Sequence, residues 1–168
     1  MSPAHTMRVV VLSFAAGCAW PSPTAVPAPL AAPGPAPALA FAISEIQQEL
    51  TSGWAGPVYT VVLRREGTAE YRGECCVPML GFYRAHIDSA TFISLAAYLM
   101  RHNFGALQGI YKDLSLEEDH FLRTMTTVVM GDDTIVIDHY EGYGPPVLRQ
   151  IEGSINEVVY ALHWNKSR

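Results

Sequence analysis

The chain has 168 residues, a formal net charge of -5 and a hydrophobic fraction of 49%. These values fit one ordinary globular domain and exclude a wholly disordered chain. The negative charge argues against a nucleic-acid binder that relies on phosphate contacts, and no proline-free apolar run is long enough for an ordinary transmembrane helix.

The N-terminal region, up to residue 44, differs in composition from the rest of the chain. It holds one charged residue, Arg8, and eight of the twelve prolines. An apolar run over residues 9–16 follows Arg8 and leads into Gly17 and Cys18, an order that is typical of a secretory signal. Residues 14–18 (Phe-Ala-Ala-Gly-Cys) resemble a bacterial lipobox, which implies cleavage before Cys18 and attachment of a lipid to its thiol.

Two alternatives to this lipoprotein hypothesis remain. A plain signal peptide could be removed near residues 38–40 and leave a secreted protein, or the chain could remain unexported, with Met1 or Met7 as its start. The lipoprotein reading divides the chain into a signal peptide at 1–17, a tether at 18–40 and one domain at 41–168. Because the tether is rich in proline and alanine, we expect it to be extended, with a reach of about 70 Å.

Alternating apolar residues and glycine turns predict strands in the first half of the domain. Residues 41–48 form the first expected strand, and residues 57–64 the second. Residues 68–75 follow after a short loop that contains Gly67, which predicts a β-hairpin. A further extended segment is expected at residues 82–87.

A helix is predicted next, because Asp88 or Ser89 can cap the free amides of its first turn. Its apolar residues recur at helical spacing and define one buried stripe, made of Phe92, Leu95, Ala96 and Leu99. A second, short helical turn is expected to carry Phe104, Leu107, Ile110 and Tyr111.

The last third of the chain predicts a second hairpin and a long helix. The hairpin joins residues 124–130 to residues 134–140 through a turn at Gly131. Pro145 and Pro146 open the helix, since proline is tolerated in a first turn. Its expected buried stripe is Leu148, Ile151, Ile155, Val158 and Leu162. The order of elements predicts an α+β domain, a mostly antiparallel sheet built from hairpins with two main helices packed on one face.

Several short motifs recur in an order and spacing that resemble a known family. They are Gly56-Pro57-Val58-Tyr59, Gly67-Thr68, Tyr71-Arg72-Gly73, Phe92-Ile93-Ser94-Leu95, Phe104-Gly105-Ala106-Leu107 and Pro146-Val147-Leu148. The pattern resembles the uncharacterised bacterial domain of unknown function 6438, often found behind lipoprotein signals, over about residues 43–164. The resemblance implies a fold and a location at the cell envelope, but it implies no catalytic or binding activity. Ser52 and Gly56 stand where the family's two usual cysteines would be, so no disulfide or metal site carries over.

The remaining thiols are the adjacent pair Cys75 and Cys76. Neighbouring strand residues point to opposite faces, so we expect one in the core and the other exposed. A vicinal or intermolecular disulfide and a reactive thiol are the alternatives. The six histidines lack the spacing of metal ligands, and no cofactor motif occurs. The sequence therefore predicts no metal, no cofactor and no catalytic set.

Two loops rich in glycine and aromatic residues are candidates for a binding surface. One contains Tyr140 and Tyr143, and the other contains Trp54. Glycines expose backbone groups there, and aromatic rings favour recognition. The alternative is that the rings only cover the edge of the core.

These observations predict a lipid-anchored cell-envelope protein whose non-enzymatic domain binds a protein or a glycan, not nucleic acid. It would be held at the membrane by the lipid on Cys18 and exposed to the periplasm or the cell exterior; secretion is the alternative. One rival hypothesis is a small envelope hydrolase that uses Cys76 or Glu141. The other is a structural subunit of an envelope assembly.

Overall fold

A computed structural model of the chain describes residues 40, 42–53, 56–107, 109–112 and 122–167. The predicted signal peptide, the lipid-attachment residue Cys18, nearly all of the tether and Trp54 lie outside the described residues. Within the described part, neither helix combines the length and the hydropathy that crossing a bilayer requires.

The described residues form one eight-stranded sheet and two α-helices. In chain order these elements are β1 (Ile43–Ser52), β2 (Val58–Arg64), β3 (Thr68–Cys75), β4 (Gly81–His86), α1 (Ser89–Arg101), β5 (Ile110–Tyr111), β6 (Leu122–Met130), β7 (Asp133–Tyr140), α2 (Pro146–Ala161) and β8 (Asn165–Lys166). The strand order across the sheet is β5-β7-β6-β1-β2-β3-β4-β8. Every neighbouring pair is antiparallel except β5 and β7. The predicted α+β class is confirmed.

Both predicted hairpins are present, and each turns at a glycine with positive φ. Gly67 has a φ of 98° between β2 and β3, and Gly131 has a φ of 61° between β6 and β7. Glycine adopts this region without the steric penalty that a Cβ brings, so the two turns fix the register of their strands.

The helices begin at the predicted caps. Asp88 caps α1, because its carboxylate accepts a hydrogen bond from the Thr91 backbone N–H at 2.9 Å. Hydrogen bonds from Thr91 also lower the pKa of Asp88. Pro146 is the first residue of α2, and all four residues of the predicted α1 stripe are buried.

Three sequence predictions need correction. Val158 and Leu162 are only half-buried, and Val159 takes the place of Val158 in the α2 core stripe. The expected second helical turn is shorter, since Ile110 and Tyr111 form β5 instead. The Asp138 backbone N–H donates to the Gly109 carbonyl at 2.6 Å, which aligns this segment with β7. The first strand is longer than predicted, since β1 has partners on both sides.

Both helices cover the same face of the sheet. Inward-pointing strand residues such as Ile46, Val61 and Leu63 join the apolar stripes of α1 and α2 in a single buried cluster. The core therefore lies between the sheet and the helix layer, and polar residues on this inner face have to find partners there.

Candidate functional site

A cleft of about 650 Å³ lies between the inner face of the sheet and α2, and we call it the sheet–helix cleft. It is lined from β1, β2, β3, β6, β7, α2 and the loop between β3 and β4, while α1 contributes nothing. Its size suits a small molecule. The polar side chains in its wall include Gln48, Tyr59, Thr124, His139, Glu152 and Asn156.

The strand register brings the sheet residues of this cleft together. His139 on β7 lies opposite Thr124 on β6, which lies opposite Leu50 on β1, which lies opposite Tyr59 on β2. Gln48 belongs to the neighbouring inward-pointing row, two residues before Leu50 along β1. Paired residues point to the same face of a sheet, so these side chains share one surface.

One side of α2 faces this surface. Arg149, Glu152, Gly153, Asn156 and Tyr160 line the cleft, and they recur at steps of about three to four residues, the spacing of one helix face. The helix therefore adds two charged groups and a carboxamide to the polar residues of the sheet.

A buried ion pair joins β7 to α2 at one end of the cleft. His139 Nδ1 lies 3.0 Å from both carboxylate oxygens of Glu152, and the residues are only 4% and 8% exposed. His139 Nε2 lies against the backbone carbonyl oxygen of Tyr143. Because both ring nitrogens face oxygen acceptors, the imidazolium form, which donates from both, fits this geometry.

The Glu152 carboxylate raises the pKa of His139 above its ordinary value of 6.5, against the opposing effects of burial and of the Arg149 charge. A group whose pKa is raised by folding stabilises the native state fully below its unfolded pKa, and this contribution is lost as pH rises through the folded value. We therefore expect the melting temperature to fall as pH rises above 6.5. Thermal denaturation across that range, compared with His139→Gln, checks this. If the melting temperature of His139→Gln falls with pH as steeply as that of the parent, this expectation is contradicted.

A second polar tie crosses from β2 to α2. The Tyr59 hydroxyl donates to Asn156 Oδ1 at 3.0 Å. Burial raises the pKa of Tyr59 to about 12, so the hydroxyl stays protonated and acts as a donor. The tie fixes the orientation of the Asn156 carboxamide at the cleft.

Gln48 lies in the cleft wall with its hydrogen-bonding groups unused. The residue is 1% exposed, and among the described residues neither Nε2 nor Oε1 has a hydrogen-bond partner. Thr126 lies opposite it on β6, and its buried hydroxyl is also without a partner in that part of the chain. Buried polar groups are nearly always paired, so an orphaned carboxamide that lines a cleft points to a ligand.

An aromatic wall, made of Tyr59, Tyr71 and Trp164, closes another side. The ring centroids of Tyr59 and Tyr71 are 5.4 Å apart, and those of Tyr71 and Trp164 are 5.6 Å apart. Gly73 on β3 lets the following loop pack close, because a Cβ there would collide with the Met79 carbonyl oxygen. This places Met79 at the cleft beside the aromatic wall.

Gly153 lies in the interior of α2 where the helix borders the cleft, and a Cβ added there would meet nothing within 4 Å. Because glycine weakens a helix interior, Gly153→Ala is expected to raise the free energy of unfolding by about 0.5–1 kcal/mol. Gly142→Ala is the matched control, since its Cβ would also meet open space but its φ is 91°. Urea denaturation should therefore show stabilisation by the first change and destabilisation by the second. A loss of stability in Gly153→Ala would mean that its helix geometry is not ordinary.

The residues of the hydrolase hypothesis, Cys76 and Glu141, both line the cleft. The expectation of one buried thiol is wrong, because Cys75 and Cys76 are both free and exposed. β3 ends at Cys75, and Cys76 has a φ of 57°, so strand alternation no longer applies. A hydrogen bond from the Cys76 thiol to Cys75 raises the pKa of Cys76, because it stabilises the protonated form.

Of the predicted binding surface, Tyr140 and Tyr143 are described, and neither lines the cleft. Tyr140 is 7% exposed, and its ring lies under the charged groups of Lys112 and Arg123, at 5.7 and 5.9 Å. Tyr143 is half-buried and contributes its carbonyl oxygen to His139. The third member, Trp54, lies outside the described residues, as does the predicted lipid site Cys18.

Sequence reasoning missed Gln48 and Glu152, although each leaves a signal in the pattern. Gln48 stands between Ile46 and Leu50 at a spacing of two, so it occupies an inward position of a strand. Glu152 follows Leu148 by four residues and falls within the buried stripe of α2. A polar residue in an apolar stripe indicates either a buried partner or a ligand. Among the described residues, no cluster of three or more side chains suited to a metal ion is found.

A family model described as Domain of unknown function (DUF6438) matches residues 55–159. The chain belongs to this family. The DUF6438 match includes Tyr59, Thr124, His139 and the cleft-lining residues of α2 up to Val159, whereas Gln48 precedes it and Tyr160 follows it. A search of curated proteins found no match to the chain.

Ser52 and Gly56 are the two positions at which this chain lacks the cysteines usual in the DUF6438 family. A Cβ added at Gly56 would overlap the Ser52 side chain, so these two positions are adjacent in space. In this chain they hold a hydroxyl and a glycine, and they close the end of β1 near Pro57, which lines the cleft.

Proposed function

We propose that this DUF6438 domain is a non-enzymatic binding module that takes a small uncharged ligand in the sheet–helix cleft. The observation that carries the proposal is the orphaned carboxamide of Gln48, which lines a cleft of about 650 Å³. Leaving a buried donor and acceptor unpaired costs about 1–3 kcal/mol, a cost that a ligand with matching groups removes.

The charges of the cleft support an uncharged ligand. Its charged side chains among the described residues are Glu141, Arg149, Glu152 and the imidazolium of His139, and these cancel. A phosphate or a carboxylate site would carry an excess of cationic groups. A cationic site would carry an excess of carboxylates, whereas the Glu141 and Glu152 carboxylates are balanced by the charges of Arg149 and His139.

We further propose that the domain acts at the cell envelope, anchored by a lipid on Cys18. The support is the sequence alone: Arg8, the apolar run, the small residues before Cys18, and the proline-rich tether. Such a tether would hold the cleft away from the membrane. Mass spectrometry of the mature N-terminus tests this: a diacylglyceryl group on Cys18 supports the proposal, and an unprocessed chain in the cytoplasmic fraction overturns it.

The binding proposal is tested by NMR titration of the full chain with neutral and charged probes of similar size. The neutral probes are methyl glucoside, 2-pyrrolidone and N-methylacetamide, and the charged probes are inorganic phosphate, acetate and ammonium. At least one neutral probe is expected to shift the backbone amide signals of Gln48, Thr124 and Gly153, and the charged probes are not.

A cleft-filling variant supplies the control. Gly153→Leu places a side chain in the open space at the cleft and should abolish the shifts. Ala161→Leu adds the same side chain at an exposed position of α2 outside the cleft and should leave them unchanged. Shifts that survive Gly153→Leu, or neutral probes that shift no cleft signal, would overturn the proposal.

The second candidate is a small hydrolase, and the favouring observation is that Cys76 and Glu141 line the same cleft. A thiol nucleophile reacts as the thiolate, but the hydrogen bond that the Cys76 thiol donates to Cys75 raises the pKa of Cys76 and keeps it protonated. Alkylation of the folded protein by iodoacetamide at increasing pH separates the two candidates. Fast reaction of Cys76 at neutral pH would favour the hydrolase.

A further inference from the structure

We infer that the ligand of the sheet–helix cleft is a neutral sugar ring, and that Gln48 hydrogen-bonds two adjacent hydroxyl groups of that ring. The inference rests on the proposed binding function and names the chemical class of the ligand. Three features carry it: the free edge of the Gln48 carboxamide, further planar polar groups on α2, and aromatic side chains at the cleft.

The Gln48 carboxamide presents a donor and an acceptor side by side. Its N–H groups donate and its carbonyl oxygen accepts, and neither atom is used by the described residues. Two neighbouring hydroxyls match this edge, because one donates to the carbonyl oxygen while the other accepts from the amino group. A ligand with only acceptors, such as an ionised carboxylate, would leave the Gln48 oxygen unpaired.

The polar groups on α2 extend the same pattern. The Glu152 carboxylate, which His139 Nδ1 contacts, has further lone pairs that can accept, and the Arg149 guanidinium donates. Asn156 offers the donors of its amino group, since its Oδ1 accepts from the Tyr59 hydroxyl. A hydroxyl both donates and accepts, so a ring with several hydroxyls can satisfy this mixed set. A ligand with one fixed donor and one fixed acceptor satisfies at most one of these side chains fully.

Aromatic side chains provide the apolar part of such a site. Tyr160 is 81% exposed and lines the cleft. Trp164 also lines it, half-buried, and its Nε1 donates to the Val159 carbonyl at 2.9 Å. That bond fixes the indole in place. A sugar ring has C–H groups on its faces and hydroxyls on its rim, so it can contact aromatic rings and planar polar groups together.

The test follows the side-chain amide signals of Gln48 by NMR in the full chain. Methyl glucoside is the probe, cyclohexanol is the control with a ring and one hydroxyl, and 2-pyrrolidone is the control with an amide edge. We expect saturable shifts of the Gln48 amide signals with methyl glucoside, and at least about tenfold weaker binding of cyclohexanol, which lacks the second hydroxyl.

Matched variants complete the test. Gln48→Met should weaken binding of methyl glucoside at least about tenfold. Gln47→Met changes the adjacent residue on the opposite face of β1 and should leave binding unchanged. If 2-pyrrolidone binds at Gln48 and methyl glucoside does not, the sugar inference is overturned while the binding function stands. Equal binding of methyl glucoside to Gln48→Met and the parent also overturns it. If no probe binds in the cleft, the proposed function fails as well.

Discussion

Replacing Glu152 with alanine is expected to lower the free energy of unfolding by about 3–5 kcal/mol, the range for removing one partner of a buried ion pair. The side chain is 11% exposed and holds His139 Nδ1 at 3.0 Å. Without it, the Tyr143 carbonyl is the one partner that the described residues leave to the imidazole, and a charged ring would be buried without its counterion.

Urea denaturation measures this loss, and Glu157→Ala on the exposed side of α2 is the matched control. That control should change stability by no more than about 0.5 kcal/mol. The double variant Glu152→Leu with His139→Leu removes both charges and should recover much of the lost stability. A loss below about 1 kcal/mol in Glu152→Ala would mean that the pair is screened by water, as surface pairs are.

Gln48→Met is expected to raise the free energy of unfolding by about 1–3 kcal/mol, the cost of a buried polar group left unpaired. Methionine has a similar length and no hydrogen-bonding requirement, so the side chain can fill the same space among the core residues. Residues that bind a ligand often lower the stability of the unliganded protein. If Gln48 is such a residue, its replacement by methionine should stabilise the protein and weaken ligand binding.

The comparison for this variant is Gln47→Met on the other face of β1. Gln47 Nε2 donates to Glu49 Oε1 at 2.6 Å, so its amide is paired and its replacement should not stabilise the protein. Thermal and urea denaturation of both variants and of the parent measure these changes in the free energy of unfolding. If Gln48→Met destabilises the domain, the Gln48 amide has a protein partner in solution and the case for a ligand there is lost.

Local signals were enough to predict most of the fold. Gly67 and Gly131 define their turns through positive φ, Asp88 caps α1 with its own side chain, and Pro146 starts α2. Each depends on interactions within a few residues, which a sequence displays directly. β5 could not be predicted in this way, because a two-residue parallel strand exists only where β7 offers its edge.

The candidate site was harder to predict because its residues meet through long-range register. Thr124 and His139 come together through the second hairpin, but Leu50 joins them only because β1 pairs with β6. No local sequence signal predicts the pairing of β1 with β6. The period-two position of Gln48 and the stripe position of Glu152 were visible, yet their partners depend on where α2 crosses the sheet.

The central place of β1 has a consequence for how the chain folds. β2 and β3 follow β1 directly, but the strand on its other side, β6, is made much later, with Ile46 opposite Val128. Until the β6–β7 hairpin has been made, the backbone N–H and C=O groups along one edge of β1 are unpaired, and a strand of another chain can pair with them. Nascent or truncated chains that end before Leu122 are therefore expected to self-associate, and docking of the late hairpin should be the slow step of folding.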